Sequence, residues 1–166
     1  DAAAIDASRL SLVVRAGAGT NTIDVPAASE RGVIVTNCPG KNSLAVAELA
    51  WGLILACDRR IPENVIALRD GRWNKKEFSR ARGLSGRTLG LIGLGAIAQE
   101  MIVRGRAFGM NAVAHSRWMS VEVAAGLQIG RAEDAIQLAA MSDVVSVHVA
   151  LTPQTRRMCG ERFFDA

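Results

Sequence analysis

Apolar and polar positions follow two rhythms along the chain, and the changes between them mark out the elements. Leu12-Val13-Val14 is a short β-type run that ends in the loop Arg15-Ala16-Gly17-Ala18-Gly19-Thr20. Pro26 to Arg31 predicts a short helix, with Pro at its start and Gly32 just past its end. Val33-Ile34-Val35-Thr36 predicts a second buried-type strand, broken by Cys38-Pro39-Gly40-Lys41-Asn42. Ser43 is a natural cap for a helix running to about Arg60. That helix is apolar nearly all round (Leu44, Val46, Leu49, Trp51, Leu53, Ile54), so burial is expected, in a core or against a second subunit. Another helix is expected from Pro62 to Asp70, closed by Gly71. Trp73 to Ser85 is polar and reads as an irregular surface connection.

From Arg87 the rhythm becomes strand, helix, strand. Thr88–Ile92 is a strand, Gly93-Leu94-Gly95 a turn, and Ala96–Phe108 a helix ended by Gly109. Asn111–His115 is the next strand, Ala132–Ala140 a helix, and Val144–Val149 a buried strand. Strands alternating with helices at these lengths imply an α/β fold of the Rossmann-like, doubly wound kind, its parallel sheet covered on both faces.

Composition narrows the partners. The 166 residues give room for one well-filled domain, or one and a part. With 49% hydrophobic and 22% charged residues the balance is that of a soluble globular protein. No apolar run approaches the roughly 18 residues of a membrane span. The best candidate, Leu49–Cys57, runs straight into Asp58, Arg59 and Arg60. No secretory signal is visible, and Cys38, Cys57 and Cys159 form an odd, widely spaced set without a Cys-x-x-Cys pair. Reduced thiols in a cytoplasmic setting are therefore expected. His115 and His148 stand far apart with no other ligands at zinc spacing, so no metal site is expected. The net charge of +4 comes from dispersed basic residues, and aromatics are only 4%, which argues against a nucleic-acid partner. A small anionic ligand suits the same surface.

Gly93-x-Gly95-x-x-Ala98 is the G-x-G-x-x-G/A fingerprint, placed after a predicted strand and before a helix, inside a complete β-α-β unit. Gly93 permits the tight turn, Gly95 lets the backbone approach a pyrophosphate, and the small Ala98 keeps the helix close to the sheet. A phosphate would then face the unpaired N–H groups and positive dipole end of the helix, the combination that favours an anion. The expected cofactor is NAD or NADP. The acidic residue that would hold the ribose hydroxyls about 20 positions on is missing; His115-Ser116-Arg117 stands there instead. Ser can hydrogen-bond to a 2′-phosphate and Arg can pair with it, which leans toward NADP. The plainer alternative is that Arg117 is a solvated surface residue and Ser116 a neutral partner for the diol.

Several further stretches resemble one family. Arg15-Ala16-Gly17-Ala18-Gly19-Thr20-Asn21-Thr22-Ile23-Asp24, Asn37-Cys38-Pro39-Gly40 and Ser43-Leu44-Ala45-Val46-Ala47-Glu48 are similar to the D-2-hydroxyacid dehydrogenases. So are Gly86 to Gly95, Arg106 to Met110, and Ser142 to Pro153, all in the family's order. The phosphoglycerate dehydrogenase branch is the closest in appearance. The resemblance implies that residues 1–42 are part of a flavodoxin-like substrate-binding domain and that 43–166 are an NAD(P)-binding Rossmann domain, incomplete at its C-terminus. It implies that Arg15 and the backbone N–H groups of Ala16, Gly17 and Ala18 meet the carboxylate of a 2-hydroxy or 2-oxo acid. It places Gly93, Leu94, Gly95, Ala96 and Ile97 at the pyrophosphate, Ser116 and Arg117 at the ribose, and Val149 against the adenosine. Cys38 is either a nicotinamide-side contact or a small buried thiol, and His148 is a structural residue.

The chain departs from the family at three positions. Ala96 stands where Arg is common, Ala98 replaces the third glycine, and Ala150 replaces a common Pro, which is expected to loosen the loop before Leu151. By resemblance the family's catalytic Arg, Glu and His lie in a later segment, so no catalytic residue is assigned within these 166. The whole protein is then expected to be an oxidoreductase acting on the CH–OH group of a small D-2-hydroxy acid, as a homodimer joined through the Ser43–Arg60 helix and the neighbourhood of Trp73. The alternative on the same scaffold is a non-catalytic NAD(H)-sensing dimerisation module of the corepressor type; a truncated, inactive relative is a third reading.

Overall fold

Two parallel sheets carry the chain in the computed structural model, which describes residues 2–6 and 9–166. The smaller sheet pairs β1 (Leu12–Val14) with β2 (Ile34–Thr36), joined through α2 (Val25–Glu30). Asp24 caps α2 by accepting the Ala27 N–H at 3.1 Å, and Pro26 sits in its first turn, where a missing N–H costs nothing. Ile5, on the short helix α1 (Ala2–Asp6), joins Ala28 and Val33 in a core of its own beneath this sheet.

The larger sheet has four strands: β3 (Thr88–Ile92), β4 (Asn111–His115), β5 (Gly130–Arg131) and β6 (Val144–Val147). They lie in the order β5-β4-β3-β6, all parallel. Helix α6 (Ala96–Ala107) crosses from β3 to β4, and α7 (Val121–Gly126) from β4 to β5. The chain then returns over β3 through α8 (Ala135–Ala140) to β6. On one face Leu89 and Leu91 pack with Ala98, Met101 and Ile102 of α6 and with Ala47 and Trp51 of α3 (Ser43–Arg59). On the other face Ile92 and Val113 meet Leu138 of α8 and Phe163 of α9 (Glu161–Phe164). Gly90 makes that second contact possible: a Cβ there would run into the Ser142 side chain and lie 3.0 Å from Leu138. The sheet is thus wound on both sides, the Rossmann-like arrangement expected from the alternating pattern.

Several local expectations need correction. Ser43 is the first residue of α3 and not its cap; Asn42 holds that place, with no side-chain bond. Within the chain α3 is covered on one side only, which leaves burial against a second subunit to cover the rest. Ser43, Ala47 and Trp51 are buried, while Leu44, Leu49 and Leu53 are exposed, because its packing partners, chiefly α6, cover one side. The next helix, α4, spans Ile61–Arg69. The connection after it contains one helical turn, α5 (Lys75–Phe78). Helix α8 starts at Ala135 because Asp134 accepts the Gln137 N–H at 2.8 Å and so sets the cap. β6 ends at Val147, two residues before the apolar run does. Among the described residues no helix is long and apolar enough to cross a membrane.

Candidate functional site

The turn after β3 sits where the sheet reverses its order. β3 has β4 on one side and β6 on the other, and the chain winds away from it in both directions. In open α/β sheets the crevice beyond the strand ends at such a point receives ligands. Gly93 leaves β3 with φ +93°, and its N–H donates to His115 O at 2.8 Å. A Cβ at this position would lie 2.5 Å from His148 O and 2.9 Å from Val149 Cγ1, so the strand end of β6 closes against a residue that must lack a side chain. Gly95 differs. It is extended, precedes the first turn of α6, and a Cβ there would enter open space. The backbone is therefore bare on the outer side of the turn, as close approach of a pyrophosphate requires.

Helix α6 begins there with no side chain capping it and no acidic residue in its first turn. Its early N–H groups and positive dipole end remain for an anion. Ile97 and Leu94 pack their side chains against the core, which leaves backbone atoms as what these residues offer a ligand. Ala96 is exposed and brings no charge. Ala98 is 0% exposed and lies within the core between helix and sheet. The local geometry fits a dinucleotide pyrophosphate.

Beside the turn opens a cleft of about 310 Å³. Gly93, Ser116, Arg117 and Val149 line it together, so the structure gathers the turn and the two residues expected at the ribose at one place. Ser116 is half-buried and Arg117 exposed. The far wall is the loop after β6. Ala150 was expected to loosen it, yet the loop is tied: Thr155 Oγ1 donates to Ala150 O at 2.6 Å, and Thr152 N–H donates to Thr155 Oγ1 at 2.8 Å. Thr155 and Trp118 also line the cleft, and neither is among the residues that the sequence assigns to the site. The Thr152-x-x-Thr155 spacing, which permits such a hydroxyl turn, was the available signal.

Arg15, Ala16, Gly17, Ala18 and Cys38 form a second group, none of them lining that cleft. Arg15 N–H donates to Thr36 O at 2.8 Å, carrying the β1 ladder into the loop. Gly17 O accepts the Cys38 N–H at 3.0 Å, and Asn37 Nδ2 donates to Ala18 O at 2.8 Å, which ties the two loops side by side. The Arg15 guanidinium folds over Gly17, where a Cβ would lie 3.2 Å from Nη1. It is exposed.

Both histidines rest against a neighbouring oxygen. His115 Nδ1 lies 3.2 Å from Ala132 O, and His148 Nε2 lies 2.8 Å from Ser146 Oγ. Burial holds the His148 imidazole below its ordinary pKa, favouring the neutral ring. The three cysteines are free, and among the described residues no cluster of three or more His, Cys, Asp or Glu is placed to hold a metal.

Comparison with known proteins agrees with this geometry. Residues 51–166 match the family model described as D-isomer specific 2-hydroxyacid dehydrogenase, NAD binding domain. The chain is 42% identical over 154 residues to D-3-phosphoglycerate dehydrogenase of Methanocaldococcus jannaschii, covering 93% of this chain and 29% of that protein. It is 42% identical over 149 residues to a hydroxypyruvate reductase of Thermotoga maritima, covering 90% of this chain and 47% of the relative. The holo form of Rhodotorula graminis D-mandelate dehydrogenase superposes with a TM-score of 0.86 at 31% identity, covering 99% of this chain and 51% of that one. The chain thus spans between about a third and a half of the proteins it matches. With its fingerprint turn at the sheet's reversal and its NAD-binding domain matched from Trp51 onward, it belongs to the D-isomer-specific 2-hydroxyacid dehydrogenase family.

Proposed function

We propose that this chain is the cofactor-binding part of an oxidoreductase acting on the CH–OH group of a small D-2-hydroxy acid, phosphoglycerate dehydrogenase-like, with NAD(P) as hydride acceptor. The observation that carries the reading is the open, uncapped start of α6 behind Gly95, beside a cleft that ends at Ser116 and Arg117. Residues 43–166 act as the nucleotide domain, and 1–42 belong to a flavodoxin-like substrate domain. Bound there, the nicotinamide would supply the hydride chemistry. The backbone of Gly93 to Ile97 holds the pyrophosphate, Ser116 and Arg117 meet the ribose, and Val149 packs on the adenosine. Arg15 and the N–H groups of Ala16, Gly17 and Ala18 bind the substrate carboxylate, because consecutive N–H groups in a glycine-rich turn converge on an anion. Cys38, joined to that loop, borders the nicotinamide side.

The acid–base group and its partners lie outside these residues, in keeping with two histidines that face a carbonyl and a hydroxyl rather than a carboxylate. The matched relatives are dehydrogenases and a reductase, which supports the enzyme over the corepressor-like sensor. The proposed partner is a second copy, seated on the exposed leucines of α3 and on Trp73. A cytoplasmic setting suits the three free thiols.

NADP is the favoured cofactor, since no carboxylate stands at the ribose end and Arg117 does. Titration with NADPH and NADH, followed by nicotinamide fluorescence, tests this directly. NADPH is expected to bind more tightly, and Arg117→Ala to weaken it by about tenfold or more while sparing NADH, the scale of a hydrogen bond to a charged group. Preference for NADH sinks the 2′-phosphate reading and leaves the dinucleotide site standing. Failure of both to bind overturns the site itself. For the whole protein, reduction of NAD(P) on adding a D-2-hydroxy acid, but not its L-isomer, is the expected activity.

A further inference from the structure

Nothing in the packing explains why a tryptophan stands at position 118. The residue is 85% exposed, at the mouth of the cofactor cleft. The turn that carries it is anchored at both ends. On one side His115 closes β4 with its ring against Ala132 O. On the other, Met119 is buried in the core, its N–H donates to Ser116 O at 3.1 Å, and its carbonyl accepts from Arg131 Nε at 3.1 Å. Ser116, Arg117 and Trp118 are left as a fixed apex facing the cleft. The Arg117 guanidinium carbon sits 5.9 Å from the centre of the Trp118 ring, and no carboxylate pairs with it among the described residues. A cation at this distance is drawn to the negative face of an indole. Without that ring an exposed arginine would sample many rotamers and lose that freedom on each binding event.

We infer that Trp118 is a specificity-determining positioning residue, whose ring holds the Arg117 guanidinium at the cleft mouth so that the site favours an adenosine bearing a 2′-phosphate over one with a free 2′-hydroxyl. The inference rests on the 2′-phosphate reading above and adds a residue that the reading did not include. The ring gives this orientation without neutralising the charge, which a carboxylate partner would do. The arginine therefore keeps its full attraction for a dianionic group.

Two small probes isolate the effect, because 2′,5′-ADP and 5′-AMP differ only in the 2′-phosphate. Their affinities are measured by calorimetry on the purified chain and on Trp118→Leu, Trp118→Phe and Arg117→Ala, with circular dichroism verifying the fold of each. The wild-type chain is expected to prefer 2′,5′-ADP. Trp118→Leu should cut that preference by about tenfold, equivalent to about 1.4 kcal/mol, with 5′-AMP unchanged. Trp118→Phe, which keeps an aromatic face, should restore most of it. Equal weakening of both probes in Trp118→Leu would overturn the proposal, showing a ring that only stacks on adenine. A preference that survives Trp118→Leu but not Arg117→Ala would overturn it too, with the 2′-phosphate reading intact. A wild-type chain without preference would bring down both, and one that binds neither probe would refute the cofactor site on which they stand.

Discussion

Gly93 and Gly95 share a motif and do different work. Gly93 has both a left-handed backbone and a carbonyl where its Cβ would be, so Gly93→Ala is expected to destabilise the fold by about 1–3 kcal/mol. Urea denaturation measures that loss, and cofactor titration should show weaker binding alongside it. Gly95→Ala puts its methyl group into open space beside α6, so the fold should be kept while dinucleotide affinity falls. A Gly95→Ala chain that binds like wild type would mean that no pyrophosphate approaches there. His148 adds a pH dependence. Burial lowers its pKa in the folded chain, so on acidification the unfolded chain takes up the proton first. This part of the stability is present above the ordinary histidine value of 6.5 and is lost as the pH falls below it toward the folded pKa. Denaturation midpoints at pH 7.5 and about 5.5 should differ in the wild type, and by less in His148→Asn.

Among elements, α3 is joined to the sheet by charge as well as by Trp51. Arg87, at the entry to β3, donates from Nη1 to Asp58 Oδ1 at 2.9 Å, near the end of α3, and to Gly83 O at 3.2 Å. Its Nε lies 3.5 Å from Asp143 Oδ1, at the entry to β6. Asp143 also accepts the Thr88 N–H at 3.0 Å, the leading reason its carboxyl pKa is held below the ordinary value. The Asp58 side chain is only 8% exposed and that of Arg87 19%, so the pair meets largely out of water. Arg87→Met is expected to cost about 3–5 kcal/mol by stranding a buried carboxylate. Arg87→Met with Asp58→Leu should recover a large part of it, and equilibrium denaturation of the pair checks this. A double mutant no better than the single would mean that the loss is one of packing.

At the scale of the whole molecule, large apolar side chains among the described residues are left uncovered on several elements. Leu12, Val14 and Ile34 of the β1–β2 sheet are exposed, and so are Leu44, Leu49 and Leu53 of α3 with Ile66 of α4 and Trp73 beyond it. Apolar side chains clustered in water are the kind of surface that a partner covers. If the second copy docks on α3 as proposed, Leu49→Arg with Leu53→Arg should turn a dimer into a monomer without loss of helix content. Sedimentation velocity reads the first and circular dichroism the second. An unchanged sedimentation coefficient would remove α3 from the interface.

Much of this architecture was legible in the residues because its causes are local. The β3–α6–β4 unit follows from a five-residue apolar strand, two glycines with separate backbone duties and a helix closed by Gly109, all within 28 residues on from Thr88. Short elements without such punctuation were not legible: α7 is six residues and β5 two, too short for a period to show, whereas α2, equally short, is framed by Pro26 and Gly32. What covers α3 stayed open between core and second subunit for another reason. Apolarity says that a face avoids water, but whether the chain itself provides the cover depends on where α6 comes to lie. The same division runs through the site. The fingerprint and the missing ribose carboxylate are statements about single positions, and the sequence carries them whole. That Val149 closes on Gly93, and that the Ser116–Trp118 turn and the loop tied by Thr155 line one cleft together, depends on strands brought together across the sheet. Such contacts join residues tens of positions apart, and no local pattern encodes the distance between them.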